Sequence, residues 1–197
     1  MCLKKSRDYF SVASLVLLLP ERVGSPLSVN ALAGELGVAF NTVSLWLAAL
    51  ARLYFCFELR PFAGRLARTL RRESKLYLFD PTPIAQPGPR FENVVALHLH
   101  KLTDAWTDLG LGDFELRYVR DKEKREVDFL IVRDRRPWLL IETKLGDTSP
   151  APALGYFAAR LEPQAGALQL VRSMAGSARK GAAGLYVVPA AAALRLM

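Results

Sequence analysis

Arg125-Glu126-Val127-Asp128-Phe129-Leu130-Ile131-Val132 and Leu139-Leu140-Ile141-Glu142-Thr143-Lys144 are the two runs whose reading decides the fold. Both are rich in β-branched and aromatic residues and predict strands, over Glu126–Arg133 and Trp138–Lys144. The polar stretch Asp134-Arg135-Arg136-Pro137 between them predicts the turn. Each strand carries a carboxylate in an otherwise apolar run, and an unpaired charge there is costly to bury. Residues two apart in a strand share a face, so Glu142 and Lys144 point the same way. A short turn can set Asp128 beside Glu142.

Working outward, Phe91–Leu102 has helical periodicity in Val94, Val95, Leu97, Leu99 and Leu102, and Glu92 stands near its start. Phe114–Arg120 predicts a strand and Pro152–Leu161 a helix. Ala167–Val171 and Leu185–Val188 predict two short strands, with Pro189 ending the last. The alanine-rich tail from Ala190 has no assignment. Helix, three strands, helix and strand describe a mixed α/β sheet flanked by helices.

The first third reads as helices. Lys4, Lys5 and Arg7 precede an apolar stretch, Phe10–Leu19, that superficially resembles an export signal. Val12, Leu15, Val16 and Leu19 fall at helical spacing instead, as in a buried amphipathic helix. Ser28 can cap a helix whose stripe is Ala31, Leu32 and Leu36, and Gly37 can end it. Asn41 can cap the next helix, with Val43, Trp46, Leu47 and Leu50 on one face. This is a helix-turn-helix pattern. Strands are expected over Leu53–Leu59 and Leu76–Phe79, joined by a basic segment with Arg60, Arg65, Arg68, Arg71, Arg72 and Lys75. Together these describe a winged helix over residues 1–80. The proline-rich stretch Pro81–Pro89 is the expected boundary to a second domain over 81–197. Asn41, Thr42, Ser44, Arg65, Arg68, Arg71 and Arg72 are the candidate nucleic-acid contacts.

The chain has 197 residues, 51% hydrophobic, with a formal charge of +8 and a sequence pI of about 9.8. Such a balance attracts polyanions, nucleic acid first, although a basic protein without such a partner has the same composition. Cys2 and Cys56 form neither a disulfide framework nor a zinc pattern, which fits a reducing cytoplasm. No segment is expected to cross a membrane. No G-x-x-x-x-G-K-[ST] loop occurs, and Gly110-Leu111-Gly112 lacks the third glycine of a dinucleotide fingerprint, so no ATP site is expected here. His98 and His100 are two apart on a helix and do not make a metal pair. Trp46, Trp106 and Trp138 are expected in the core or between domains.

Asp128 and Glu142 offer oxygen ligands to a hard cation such as Mg2+, with Glu92 as a further ligand or base. Such a metal lowers the pKa of a bound water, and Lys144 can orient the water or stabilise charge on phosphate oxygens. The plain alternatives are a cross-strand ion pair between Asp128 and Lys144, and a first-turn glutamate at Glu92 favoured by the helix dipole.

Leu53 to Leu161 resembles the C-terminal domain of unknown function that follows the ATPase module in many bacterial and archaeal AAA-type ATPases. The resemblance rests on Arg60-Pro61-Phe62-Ala63-Gly64, Lys75-Leu76-Tyr77-Leu78-Phe79-Asp80, Phe91-Glu92-Asn93, Arg125-Glu126-Val127-Asp128-Phe129 and Ile141-Glu142-Thr143-Lys144. It implies a PD-(D/E)xK nuclease-like fold after a winged helix, with Glu92, Asp128, Glu142 and Lys144 at the signature positions. Val127 stands where the signature has proline. The ATPase half has no counterpart in this sequence, as in a truncated relative or a fragment of a longer ancestor. Three functions are consistent with these features. One is a Mg2+-dependent nuclease. Another is a catalytically inactive module binding DNA or a protein. The third is a remnant serving a separate ATPase chain.

Overall fold

The computed structural model describes residues 12–62, 73–181 and 184–196. A first helix, α1 (residues 12–18), runs into a 3-10 turn, Leu19–Arg22, and buries Leu15 and Leu19 completely. α2 (Val29–Leu36) starts where the Ser28 hydroxyl accepts the Ala31 N–H at 3.3 Å. It stops at Gly37, whose φ of 64° belongs to the left-handed region that glycine enters freely. α3 (Phe40–Arg52) leaves at 108° to α2. Leu32 and Ala33 of α2 share a core with Val43, Leu47 and Leu50 of α3. Ala33 therefore takes the place expected for Ala31, which is exposed.

The cap expected at Asn41 is at Ala39. The Ala39 backbone is extended and its carbonyl accepts the Thr42 and Val43 N–H groups, which puts Asn41 inside the first turn. α3 also runs to Arg52, so the strand expected from Leu53 begins only at Cys56. A turn with Tyr54 at φ 55° intervenes. β1 (Cys56–Leu59) and β2 (Lys75–Leu78) pair antiparallel, Cys56 opposite Leu78. Arg65, Arg68, Arg71 and Arg72 of the connector lie outside the described residues.

α4 (Pro87–Asp108) leads into an antiparallel meander, β3 (Phe114–Arg120), β4 (Glu126–Arg133) and β5 (Arg136–Lys144). The β4–β5 turn is tighter than expected: only Asp134 and Arg135 lie between the paired Arg133 and Arg136, at φ 50° and 63°. α5 (Pro152–Leu161) crosses over to β6 (Ala167–Val171), parallel to β5. A short β7 (Arg179–Lys180), unforeseen, pairs with β8 (Leu185–Pro189), which lies parallel to β6. The tail forms α6 (Ala190–Leu196). Among the described residues the sheet has six strands in the order β3-β4-β5-β6-β8-β7, a mixed α/β architecture.

Phe129, Ile131, Leu139 and Ile141 lie in one apolar cluster with Val95 and Leu99 of α4, while Leu130, Val132 and Leu140 cluster with Leu154 and Phe157 of α5. The α4-side cluster also contains Leu15, Val43 and Leu76, so it continues across the Pro81–Pro89 stretch. Polar contacts bind the same seam. The fully buried Asn93 amide donates to Leu78 O at 2.7 Å and accepts from Leu78 N at 2.8 Å. Phe62 N–H donates to Tyr118 O, and Tyr118 N–H to Arg60 O. Trp106, Phe114 and Trp138 pack ring against ring beside the core. Among the described residues no single helix is long and apolar enough to cross a membrane.

Candidate functional site: a carboxylate cluster between strands and helix

The site lies where β4 and β5 stop pairing. Their last ladder pair towards the cluster is Phe129 with Ile141. β3 and β4 fall out of step there too, because Arg117 faces Leu130 but Val119 faces Val127. Asp128 and Phe129 thus stand opposite Tyr118 alone, a bulge of the kind that re-aims a side chain. Beyond the ladder, carboxylates take over its backbone donors. Asp128 Oδ2 accepts the Thr143 N–H at 2.9 Å and the Thr143 hydroxyl at 2.7 Å. The Asp128 N–H points to Glu142 Oε2 at 3.4 Å. Glu142, with a side chain 8% exposed, takes the Lys144 ammonium on Oε1 at 2.7 Å.

Glu92 approaches from α4. That helix begins at Pro87, earlier than expected, so Glu92 sits past the first turn and the helix dipole does not explain it. Glu92 Oε1 accepts the Tyr77 hydroxyl at 2.7 Å and the Lys75 ammonium at 3.3 Å. Lys75 Nζ also lies 2.6 Å from Glu126 Oε1, and Arg120 holds Glu126 Oε2 at 3.1 Å. Gly24 closes the other side of Glu92. At its φ of +76° an added Cβ would meet Glu92 Oε2 at 2.9 Å.

Electrostatics joins these groups. Burial pushes the Glu92 carboxyl up to about 7, with the Asp128 charge adding to it. Burial and then Asp128 do the same for Glu142, also to about 7. The lysines respond in the opposite sense. Burial would lower Lys75, but Glu92, Asp128 and Glu126 outweigh it and hold the ammonium above its ordinary range. Lys144 is raised likewise, burial being outweighed by Glu142. Burial first, then Glu92, drives the Tyr77 hydroxyl well above its ordinary value.

The structure therefore brings Glu92, Asp128, Glu142 and Lys144 into one electrostatic unit. Lys144 pairs with Glu142, and among the described residues Asp128 has no ion pair within 4.0 Å, so the Asp128–Lys144 pair is not formed. Lys75, Tyr77 and Glu126 belong to the same unit and were not foreseen. The sequence groups Lys75 with the basic connector, yet its side chain is 1% exposed. The signal was available: Lys75 and Tyr77 are two apart in a strand and share a face, as Glu142 and Lys144 do.

Oxygen donors suit a hard cation in kind. Their arrangement does not suit one: both Glu142 oxygens and both Glu126 oxygens are bonded, and Glu92 is enclosed by Lys75, Tyr77 and Gly24. Among the described residues no group of three His, Cys, Asp or Glu is placed to hold a metal ion. His98 Nε2 meets Leu194 O at 3.0 Å and His100 stacks on Phe57, so both have other work.

Of the expected nucleic-acid contacts on α3, Asn41 is exposed and Thr42 half-buried. Ser44 is half-buried, and its hydroxyl donates back to Phe40 O at 3.0 Å. The helix also shows Leu45, 70% exposed, and Phe40.

Comparison with known proteins gives two matches, both to domains of unknown function. DUF4143 matches residues 87–192, just over half of the chain, and DUF8612 matches residues 2–86. No curated protein and no solved structure matches.

Proposed function

The chain belongs to the DUF4143 family, known as a C-terminal domain of AAA-type ATPases, and we propose that it is a nuclease-like fold that binds nucleic acid, DNA foremost, without cutting it. One observation carries this reading. The carboxylates that a PD-(D/E)xK nuclease turns towards a phosphodiester are turned here towards the protein's own donors: Lys144 on Glu142, Thr143 on Asp128, Lys75 and Tyr77 on Glu92. The order of elements supports the fold assignment: a helix with Glu92, a meander with Asp128 and Glu142-x-Lys144, a helix, then a parallel strand. The crossed α2–α3 pair and the β1–β2 hairpin support a winged helix-turn-helix before it. The charge of +8 supports a polyanion as ligand.

A second reading, a Mg2+-dependent phosphodiesterase, is favoured by Glu92 and Glu142 standing near 7. A carboxyl poised there suits general acid–base work at neutral pH.

Fluorescence anisotropy of a labelled DNA duplex against salt tests the binding. Affinity is expected to fall linearly on a log–log plot, with a slope of about −0.9 per neutralised phosphate. Substituting Arg68→Ala together with Arg71→Ala is expected to reduce that slope by about 2. Absence of binding to DNA and RNA at low salt contradicts the reading and points to a protein ligand, for which the exposed Phe40, Leu45 and Tyr54 side chains offer apolar contacts.

A further inference from the structure

We infer that Lys75 is a built-in counter-cation: its ammonium, carried in on β2, occupies the carboxylate cluster in place of a divalent metal ion. The inference goes beyond nucleic-acid binding and stands or falls separately from it.

A lysine side chain only 1% exposed has given up its hydration, and its surroundings must replace it. They do so on several sides. Glu126 Oε1 lies 2.6 Å from Nζ and Glu92 Oε1 3.3 Å, and the Tyr118 ring centroid is 5.4 Å away, within reach of a cation–π contact. The Asp128 charge also acts on the ammonium. The backbone beneath is anchored on both sides, by Leu59 of β1 and by a bridge to Pro26. Lys75 therefore enters the cluster from a fixed point.

Its presence competes for the oxygens that a divalent ion needs. Mg2+ and Mn2+ require several oxygens with free lone pairs. Lys75 takes one oxygen of Glu126 while Arg120 takes the other, and Lys75 shares Glu92 Oε1 with Tyr77. A metal ion placed among Glu92, Glu126 and Asp128 would also face the ammonium, a like charge at close range in a buried setting.

Mn2+ binding, read from loss of the free-ion electron paramagnetic resonance signal, tests this on the full chain. Wild type and Asp128→Ala should bind Mn2+ equally weakly. Lys75→Ala should bind at least about tenfold more tightly, and adding Asp128→Ala should cancel the gain. Two results overturn the inference: wild-type Mn2+ binding that Asp128→Ala abolishes, or a folded Lys75→Ala protein that gains nothing. If Lys75→Ala does not fold, the 1H–15N ammonium signal of Lys75 in wild type decides. It should stay in place through a Mg2+ titration, and a shift that Asp128→Ala abolishes overturns the inference. Neither result depends on whether DNA binds.

Discussion

Glu92 and Glu142 keep their protons into the neutral range because burial and the Asp128 charge both oppose ionisation. In the unfolded chain the same carboxyls titrate near the ordinary value of about 4.3. The folded protein therefore binds more protons than the unfolded chain between about pH 4.3 and 7, and stability falls as pH rises through that window. The contribution is fully present below the unfolded value and lost once pH passes the folded one. Urea midpoints should decline from pH 5 to pH 8, and Glu142→Gln should shrink the decline. A flat wild-type profile contradicts the proposed burial of these charges. Lys75→Met keeps the aliphatic stem but removes the ammonium between two partly buried carboxylates, leaving Glu92 to the Tyr77 hydroxyl and Glu126 to Arg120. Loss of one partner of a buried pair costs about 3–5 kcal/mol. The loss, measured by urea unfolding, should be larger at pH 8 than at pH 5, where Glu92 can take up a proton. Asp128, Glu142 and Lys144 were legible in the sequence because charges interrupt apolar strands. Lys75 was not, because Arg60 to Arg72 precede it and made it look like one more surface cation.

At the scale of elements, the β4–β5 turn puts two non-glycine residues, Asp134 and Arg135, at positive φ. Such tight hairpin turns favour glycine, and a left-handed L-residue costs roughly 1–2 kcal/mol. Arg135→Gly should therefore raise stability by about 1 kcal/mol in denaturant unfolding. An unchanged or lower midpoint would show that the turn is not strained. The strands β3, β4 and β6 and the helix α5 were legible to the residue, because apolar runs and flanking turn residues agree there. The end of α3 was not. Leu53-Tyr54-Phe55 has the composition of a strand, but the helix end and the turn at Tyr54 use those residues first. The bulge at Asp128 was invisible because it depends on the register of β3 against β4, which no single strand encodes.

At the scale of the molecule, the segments on either side of Pro81–Pro89 share an apolar cluster, the Asn93–Leu78 hydrogen bonds and the Lys75 ion pairs. They should unfold together. Variants retaining Trp46 alone or Trp106 alone report on opposite sides of the seam, and their urea transitions should coincide. Separated midpoints would mean that the seam contributes little. The mixed sheet could be read from the order of the strands, but the seam could not. It joins residues far apart in sequence, and the proline-rich stretch looks like a linker. Lys144 and Lys75 hold the carboxylates of the cluster, and from this we propose nucleic-acid binding without cleavage. The most direct measurement is a cleavage assay on single- and double-stranded DNA and RNA, with Mg2+ or Mn2+, comparing wild type with Asp128→Ala. Intact substrate is expected with both proteins, each binding in a salt-sensitive way. Metal-dependent cutting by wild type that Asp128→Ala abolishes would contradict this proposal and establish the phosphodiesterase.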